Sequence, residues 1–177
     1  MVTFTVFTDG SSTVYKNKNG LKFGGIGVHI EGYEEYNISK QMAGSNITNQ
    51  KAELSGCIEA IKICKHIANI LNIIEWDIIL YSDSMYAIKC ATEWAKKWEK
   101  DGWKRKSGNK LNEVLNLDLI KELYGLVNAT KIKFFHVRSH QKEPSKISPQ
   151  WKFWMGNKMA DELASNAMVK AIKHASN

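Results

Sequence analysis

The spacing of hydrophobic and polar positions changes period along this chain, and each change predicts an element. Residues 2–8 set β-branched and aromatic side chains in a strand-like run, ending at the turn-forming cluster Asp9-Gly10-Ser11-Ser12. Residues 23–30 and 33–41 read as two further strands joined around Glu31-Gly32, and links this short imply an antiparallel meander. From Thr48 the period becomes helical. Ala52, Leu54, Ile58, Ile61, Cys64 and Ala68 recur on one side, and Thr48 or Asn49 is placed to cap the helix start. Residues 77–82 form a near-continuous apolar run, which predicts a strand buried on both faces. Helical sequence covers 84–98, a loop passes through Asp101-Gly102 and Ser107-Gly108, and a further helix covers 118–127. A fifth strand is predicted over 131–137 and a closing helix over 159–172, with Ala160, Leu163, Ala164, Ala167 and Ile172 on its apolar side. This order predicts an α/β fold: a five-stranded mixed sheet, part antiparallel meander and part parallel through crossover helices, flanked by helices.

Composition narrows the class. The chain has 177 residues, enough for one core, and 44% hydrophobic with 24% charged residues is the balance of a folded globular chain. We therefore expect one domain over 1–177. A formal charge of +7 fits a polyanionic partner, although a generally basic surface would give the same total. Cys57, Cys64 and Cys90 are odd in number and lack paired spacing, which argues against a disulfide framework and for a reducing compartment. No apolar run reaches the ~18 residues of a membrane span. Strand-like sequence begins directly at Met1, so the expectation is an intracellular, soluble chain without a leader peptide, in the cytoplasm or nucleus and monomeric.

Candidate chemistry centres on four acids. Asp9 and Asp83 follow predicted strands, where open α/β sheets place ligands, while Glu53 and Asp161 fall in the first turns of predicted helices. Singly, each has an ordinary role as a turn former or helix-dipole partner. Together, a carboxylate cluster repels itself unless cations fill it, and hard oxygen ligands suit Mg²⁺ or Mn²⁺. Two such ions about 4 Å apart are suited to phosphodiester hydrolysis. Spacing alone does not show that the four converge.

Four blocks carry a family resemblance. Phe7-Thr8-Asp9-Gly10-Ser11, Thr48-Asn49-Gln50-Lys51-Ala52-Glu53-Leu54, Tyr81-Ser82-Asp83-Ser84 and Gly156-Asn157-Lys158-Met159-Ala160-Asp161 resemble the catalytic blocks of type 1 ribonuclease H, in that family's order and over nearly the whole chain. The resemblance implies the ribonuclease H fold. It also implies an endoribonuclease that cuts the RNA strand of RNA–DNA hybrids with two Mg²⁺ ions, leaving 5′-phosphate and 3′-hydroxyl ends. Asp9, Glu53, Asp83 and Asp161 become the implied metal ligands. Val137-Arg138-Ser139-His140 resembles the block holding the family's mobile histidine, which makes His140 a candidate for proton transfer or product departure. His140 and Asp161 are 21 positions apart, a longer spacing than the family's usual one, and we read residues 139–156 as an extended loop. Trp151, Phe153 and Trp154 in that stretch either pack on the core or stack on nucleic acid.

Between Trp94 and Lys110, tryptophans alternate with Lys96, Lys97, Lys100, Lys104, Arg105, Lys106 and Lys110, against only Glu99 and Asp101. Charge concentrated on one element is better evidence of a phosphate-tracking surface than the global balance, the alternative being a solvated helix face. The segment resembles the family's basic handle, taken as 94–110. By the same resemblance Thr48, Asn49 and Asn116 contact the hybrid backbones and Trp103 shapes the DNA-strand channel. We expect no second, N-terminal hybrid-binding module beside the catalytic blocks. Three other readings remain: a non-catalytic binding module, a different nuclease on the same fold, and a segment of a reverse transcriptase polyprotein.

Overall fold

A computed structural model of the chain describes residues 1–14, 16–107, 110–139 and 141–176. Its centre is a five-stranded mixed sheet of β1 (Val2–Ser12), β2 (Lys22–Ile30), β3 (Ile38–Gly44), β4 (Trp76–Ser82) and β7 (Ile132–His136), in the spatial order β3-β2-β1-β4-β7. β1, β2 and β3 are antiparallel neighbours, whereas β4 and β7 run parallel to β1. The helices are α1 (Asn49–Ile70), α2 (Met85–Lys89), α3 (Ala95–Lys100), α4 (Leu117–Asn128) and α5 (Gln150–His174). A π-helical turn (Cys90–Trp94) makes α2 and α3 continuous, and β5 (Lys104–Ser107) pairs with β6 (Lys110–Glu113) as a separate two-stranded sheet. Among the described residues no helix is long and apolar enough to cross a membrane.

Thr48 caps α1 as expected, its hydroxyl accepting the Lys51 N–H at 3.2 Å. Leu54, Cys57, Ile58, Ile61, Cys64 and Ala68 of α1 are buried against Phe4, Val6, Ile78 and Leu80 from the sheet. All three cysteines are buried and unpaired, consistent with small hydrophobes in the core. On the opposite face α5 lies very close to β2. A Cβ on Gly25 or Gly27 would collide with the α5 backbone at Ala164 and Ala160. The small residues Ala160, Ala164, Ala167 and Ala171 of α5 are buried in that contact.

Five local expectations are corrected. Asp9-Gly10-Ser11-Ser12 is not a turn: β1 continues through it because Asp9 pairs with Gly27 and Ser12 with Gly24 of β2. The third strand starts at Ile38, since Glu34–Tyr36 close a 3₁₀ turn after Gly32. β4 is not buried on both faces; Ile78, Leu80 and Ser82 are buried while Asp77, Ile79 and Tyr81 are half-buried. The region after Asp101 holds the β5–β6 hairpin where we expected a loop. Finally, α5 begins at Gln150, nine residues before 159. Asp161 therefore sits well inside the helix, and the loop expected over 139–156 ends at Pro149.

Candidate active site

The site forms where the parallel half of the sheet stops. β1 pairs with β4 only as far as Thr8↔Ser82, so Asp9 is the first residue of β1 beyond its neighbour's last strand residue. Asp83 follows β4 at that same level, and the helix N-cap Ser84 turns the chain away by accepting the Ala87 N–H at 3.2 Å. Glu53 enters from the opening turns of α1. A Cβ on Gly10 would meet the backbone of Ala52 and Glu53, so glycine there lets helix and strand approach closely.

Asp9, Glu53 and Asp83 each place a carboxylate oxygen within 4.8 Å of the others. Asp161 joins them from α5: it lines the same cleft, and its charge is among the causes that raise the Asp9 carboxyl. The open cleft measures about 620 Å³.

Burial and mutual repulsion govern the protonation of this group. Glu53 is only 5% exposed, and burial, followed by the charges of Asp9 and Asp83, pushes its carboxyl up to about 9. Asp9 is 7% exposed and is pushed up to about 7, first by burial and then by Asp83. Asp83 is also raised by burial, with the Ser139 hydroxyl pulling the other way. Glu53 Oε2 is buried without a hydrogen-bond partner, while Oε1 accepts from Asn49 Nδ2 at 3.3 Å. An unsatisfied carboxylate oxygen beside two converging carboxylates fits a hard divalent cation. Asp9, Glu53 and Asp83 could hold one, with Asp161 at the edge of the set.

The other expected residues divide. Asn49 lines the cleft, whereas Thr48 serves as the α1 cap. Asn116, left-handed at φ 58°, donates its Nδ2 to the Tyr86 hydroxyl at 3.1 Å. Trp103 packs edge-on to Tyr124 with Lys121 over its ring, an anchor against α4. Lys96, Lys97, Lys104, Arg105 and Lys106 are exposed on α3 and β5. Arg105 lines a smaller hollow with Gln50, Tyr86, Trp94 and Trp98, which places the handle next to the α1 N-terminus. His140 lies outside the described residues; His136, expected to be structural, donates its Nε2 to the Asp83 backbone carbonyl at 3.2 Å.

Sequence reasoning gave no role to several cleft residues. Asn157, one helical turn before Asp161, is buried with an unpartnered Oδ1. Arg138, Ser139 and Lys158 also line the cleft, as does Trp154, for which core packing or nucleic-acid stacking was expected. The i, i+4 spacing of Asn157 and Asp161 is a readable signal once α5 is known to start at Gln150.

The family described as RNase H matches residues 2–169. Ribonuclease H of Orientia tsutsugamushi (strain Boryong) is 33% identical over 174 residues, covering 97% of this chain and 86% of that protein. Ribonuclease H1 of Homo sapiens is 31% identical over 159 residues, covering 90% of this chain but 48% of the human protein, so this chain spans about half that relative's length. Among solved structures, LC9-RNase H1, described as a type 1 RNase H with the type 2 active-site motif, superposes with a TM-score of 0.68 at 24% identity, over 96% of this chain and 74% of that one. That likeness shows a shared fold.

Proposed function

The chain belongs to the ribonuclease H family, and from that premise we propose that it is an endoribonuclease hydrolysing the RNA strand of RNA–DNA hybrids, leaving 5′-phosphate and 3′-hydroxyl ends. The observation that carries this reading is the convergence of Asp9, Glu53 and Asp83, from three separate elements, to within 4.8 Å. No packing advantage accounts for two buried carboxylates and a half-buried third that repel one another, whereas a divalent cation site does.

Asp9, Glu53, Asp83 and Asp161 would hold two Mg²⁺ ions, with Mn²⁺ as a substitute. Bound there, such ions supply positive charge that favours deprotonation of an attacking water and stabilises a leaving 3′-oxygen. The chain's own contribution is orientation. Asn49 fixes Glu53 Oε1, His136 fixes the backbone at Asp83, and the Gly10 N–H donates to Asp9 Oδ1 at 2.7 Å. These bonds hold the acids in place before substrate arrives, so little reorganisation is left for the reaction itself. His140 takes the proton-transfer or product-departure role that its block implies. Thr48, Asn49, Asn116, Trp103 and the handle residues Lys96, Lys97, Lys104, Arg105 and Lys106 supply the hybrid contacts, and we read the protein as a monomer. A reducing, intracellular compartment agrees with the three buried free cysteines.

The test is Asp9→Asn, assayed with Mg²⁺ on hybrid, duplex DNA, duplex RNA and a four-way junction. Wild type should cut only the hybrid, and the variant should lose cleavage by at least about 10³-fold while still binding hybrid. Undiminished turnover in the variant would refute the mechanism, and preferential junction cutting would point to a different nuclease on this fold.

A further inference from the structure

An acidic cleft poses an electrostatic problem for a nucleic-acid substrate. Four carboxylates line the cleft, and without bound cations they repel a phosphodiester backbone, so positive charge at either side would favour its approach. The handle supplies charge on one side only. It packs with α2, α3 and α4 on the sheet face that carries α1, while α5 covers the opposite face.

The early turns of α5 and the segment after β7 form the other rim. Arg138 is exposed, lines the cleft, and has no acidic partner within 4.0 Å among the described residues. Lys158 also lines the cleft and is held loosely, its nearest carboxylate, Glu162, being 3.9 Å away. Trp154 braces Lys158. Its indole N–H donates to the Gln141 carbonyl at 3.0 Å, tying the segment after Arg138 to the helix, and the Lys158 ammonium sits 5.1 Å from its ring centroid. Phe153, by contrast, is half-buried and packs on Tyr81 of β4 with centroids 5.1 Å apart.

We infer that Arg138 and Lys158, the latter braced by Trp154, form a second phosphate-binding rim that grips the backbone of the cleaved strand on the side of the cleft away from the handle. The inference rests on the hybrid-cutting function proposed above. The N-terminal lengthening of α5 builds this rim, since Trp154 lies in the turns that extend the helix.

Binding of a fluorescent RNA–DNA hybrid, measured by anisotropy in chelator across a salt series, isolates the rim from catalysis. Arg138→Gln/Lys158→Gln should weaken binding roughly tenfold near 0.1 M salt and flatten the log K against log salt slope by about 1.8. The charge-matched control Lys65→Gln/Lys170→Gln should bind as wild type does. Equal affinity and slope in the rim variant and wild type would overturn the inference, as would an equal loss in the control, because net charge alone would then explain it. Wild-type cleavage is assayed in parallel. A chain that binds through the rim but cuts no hybrid would sink the proposed function and leave the rim standing, whereas a chain that cuts hybrid with no rim dependence would do the reverse.

Discussion

Glu53 and Asp9 hold protons in the folded, cation-free chain at pH values where an unfolded chain has released them. Their carboxyls are pushed up to about 9 and about 7, against roughly 4 when unfolded. The folded state therefore binds more protons across that window. The stability this contributes is complete below about pH 4 and is lost as pH rises toward 9. In chelator, the melting temperature of wild type should fall more steeply between pH 5 and 9 than that of Glu53→Gln, and added Mg²⁺ should restore more stability at pH 8 than at pH 5.5. Equal slopes in wild type and variant would show that Glu53 is not held protonated. At this scale the sequence was informative about the acids and the α1 cap, because local motifs name them. It was silent about Asn157 and Lys158 and left Trp154 between core packing and nucleic-acid stacking, because their place in the cleft depends on how far α5 extends.

Elements were readable where periodicity was undisturbed, as in α1 and β2. They were misread where tertiary pairing overrode local chemistry. Gly10, Ser11 and Ser12 have turn composition, yet the ladder to β2 keeps them extended. The start of α5 carried a signal in Ser148-Pro149, a proline at a helix entrance, but Gly156-Asn157 looked more like a boundary. The polar β5–β6 strands lack alternation, so only the intervening Gly-Asn pair in the sequence hinted at a hairpin. The contact of α5 with β2 gives a further prediction. Gly27→Ala must push α5 away at Ala160, next to Asp161, so it should cost about 1–3 kcal/mol in urea unfolding and reduce cleavage beyond the stability loss. Gly44→Ala meets only ordinary contact with Ile47, 3.8 Å away, and should stay within roughly 0.5 kcal/mol of wild type. If the two glycine variants behave alike, the close packing is not limiting.

For the whole molecule, positive charge at its edges surrounds an acidic centre, which the +7 total alone did not reveal. Lys104, Arg105 and Lys106 are exposed beside the hollow that adjoins the α1 N-terminus. Replacing all three with glutamine should raise KM on hybrid and lower the salt slope of binding by up to about 2.7, read from cleavage and anisotropy at matched ionic strength. A variant with wild-type KM and slope would make the handle a solvated face. The five-stranded mixed sheet was foreseeable from the alternation of strands and helices, but the strand order and the convergence of the acids required the register of β1 against both its neighbours.

That register makes β1 sensitive to parity. Thr8 faces α1, within 3.8 Å of the Cys57 sulfur, while Phe7 faces α5 at Gly156. Asp9 shares its side with Gly27, against α5. One residue inserted between Val2 and Thr8 would turn the Asp9 carboxylate to the wrong side of the sheet. Two would restore its facing but carry it about 7 Å beyond Glu53 and Asp83. Length variation near the N-terminus can therefore be absorbed only before Val2 or after Ser12, so this strand acts as a ruler whose length is set by the chemistry at its eighth residue.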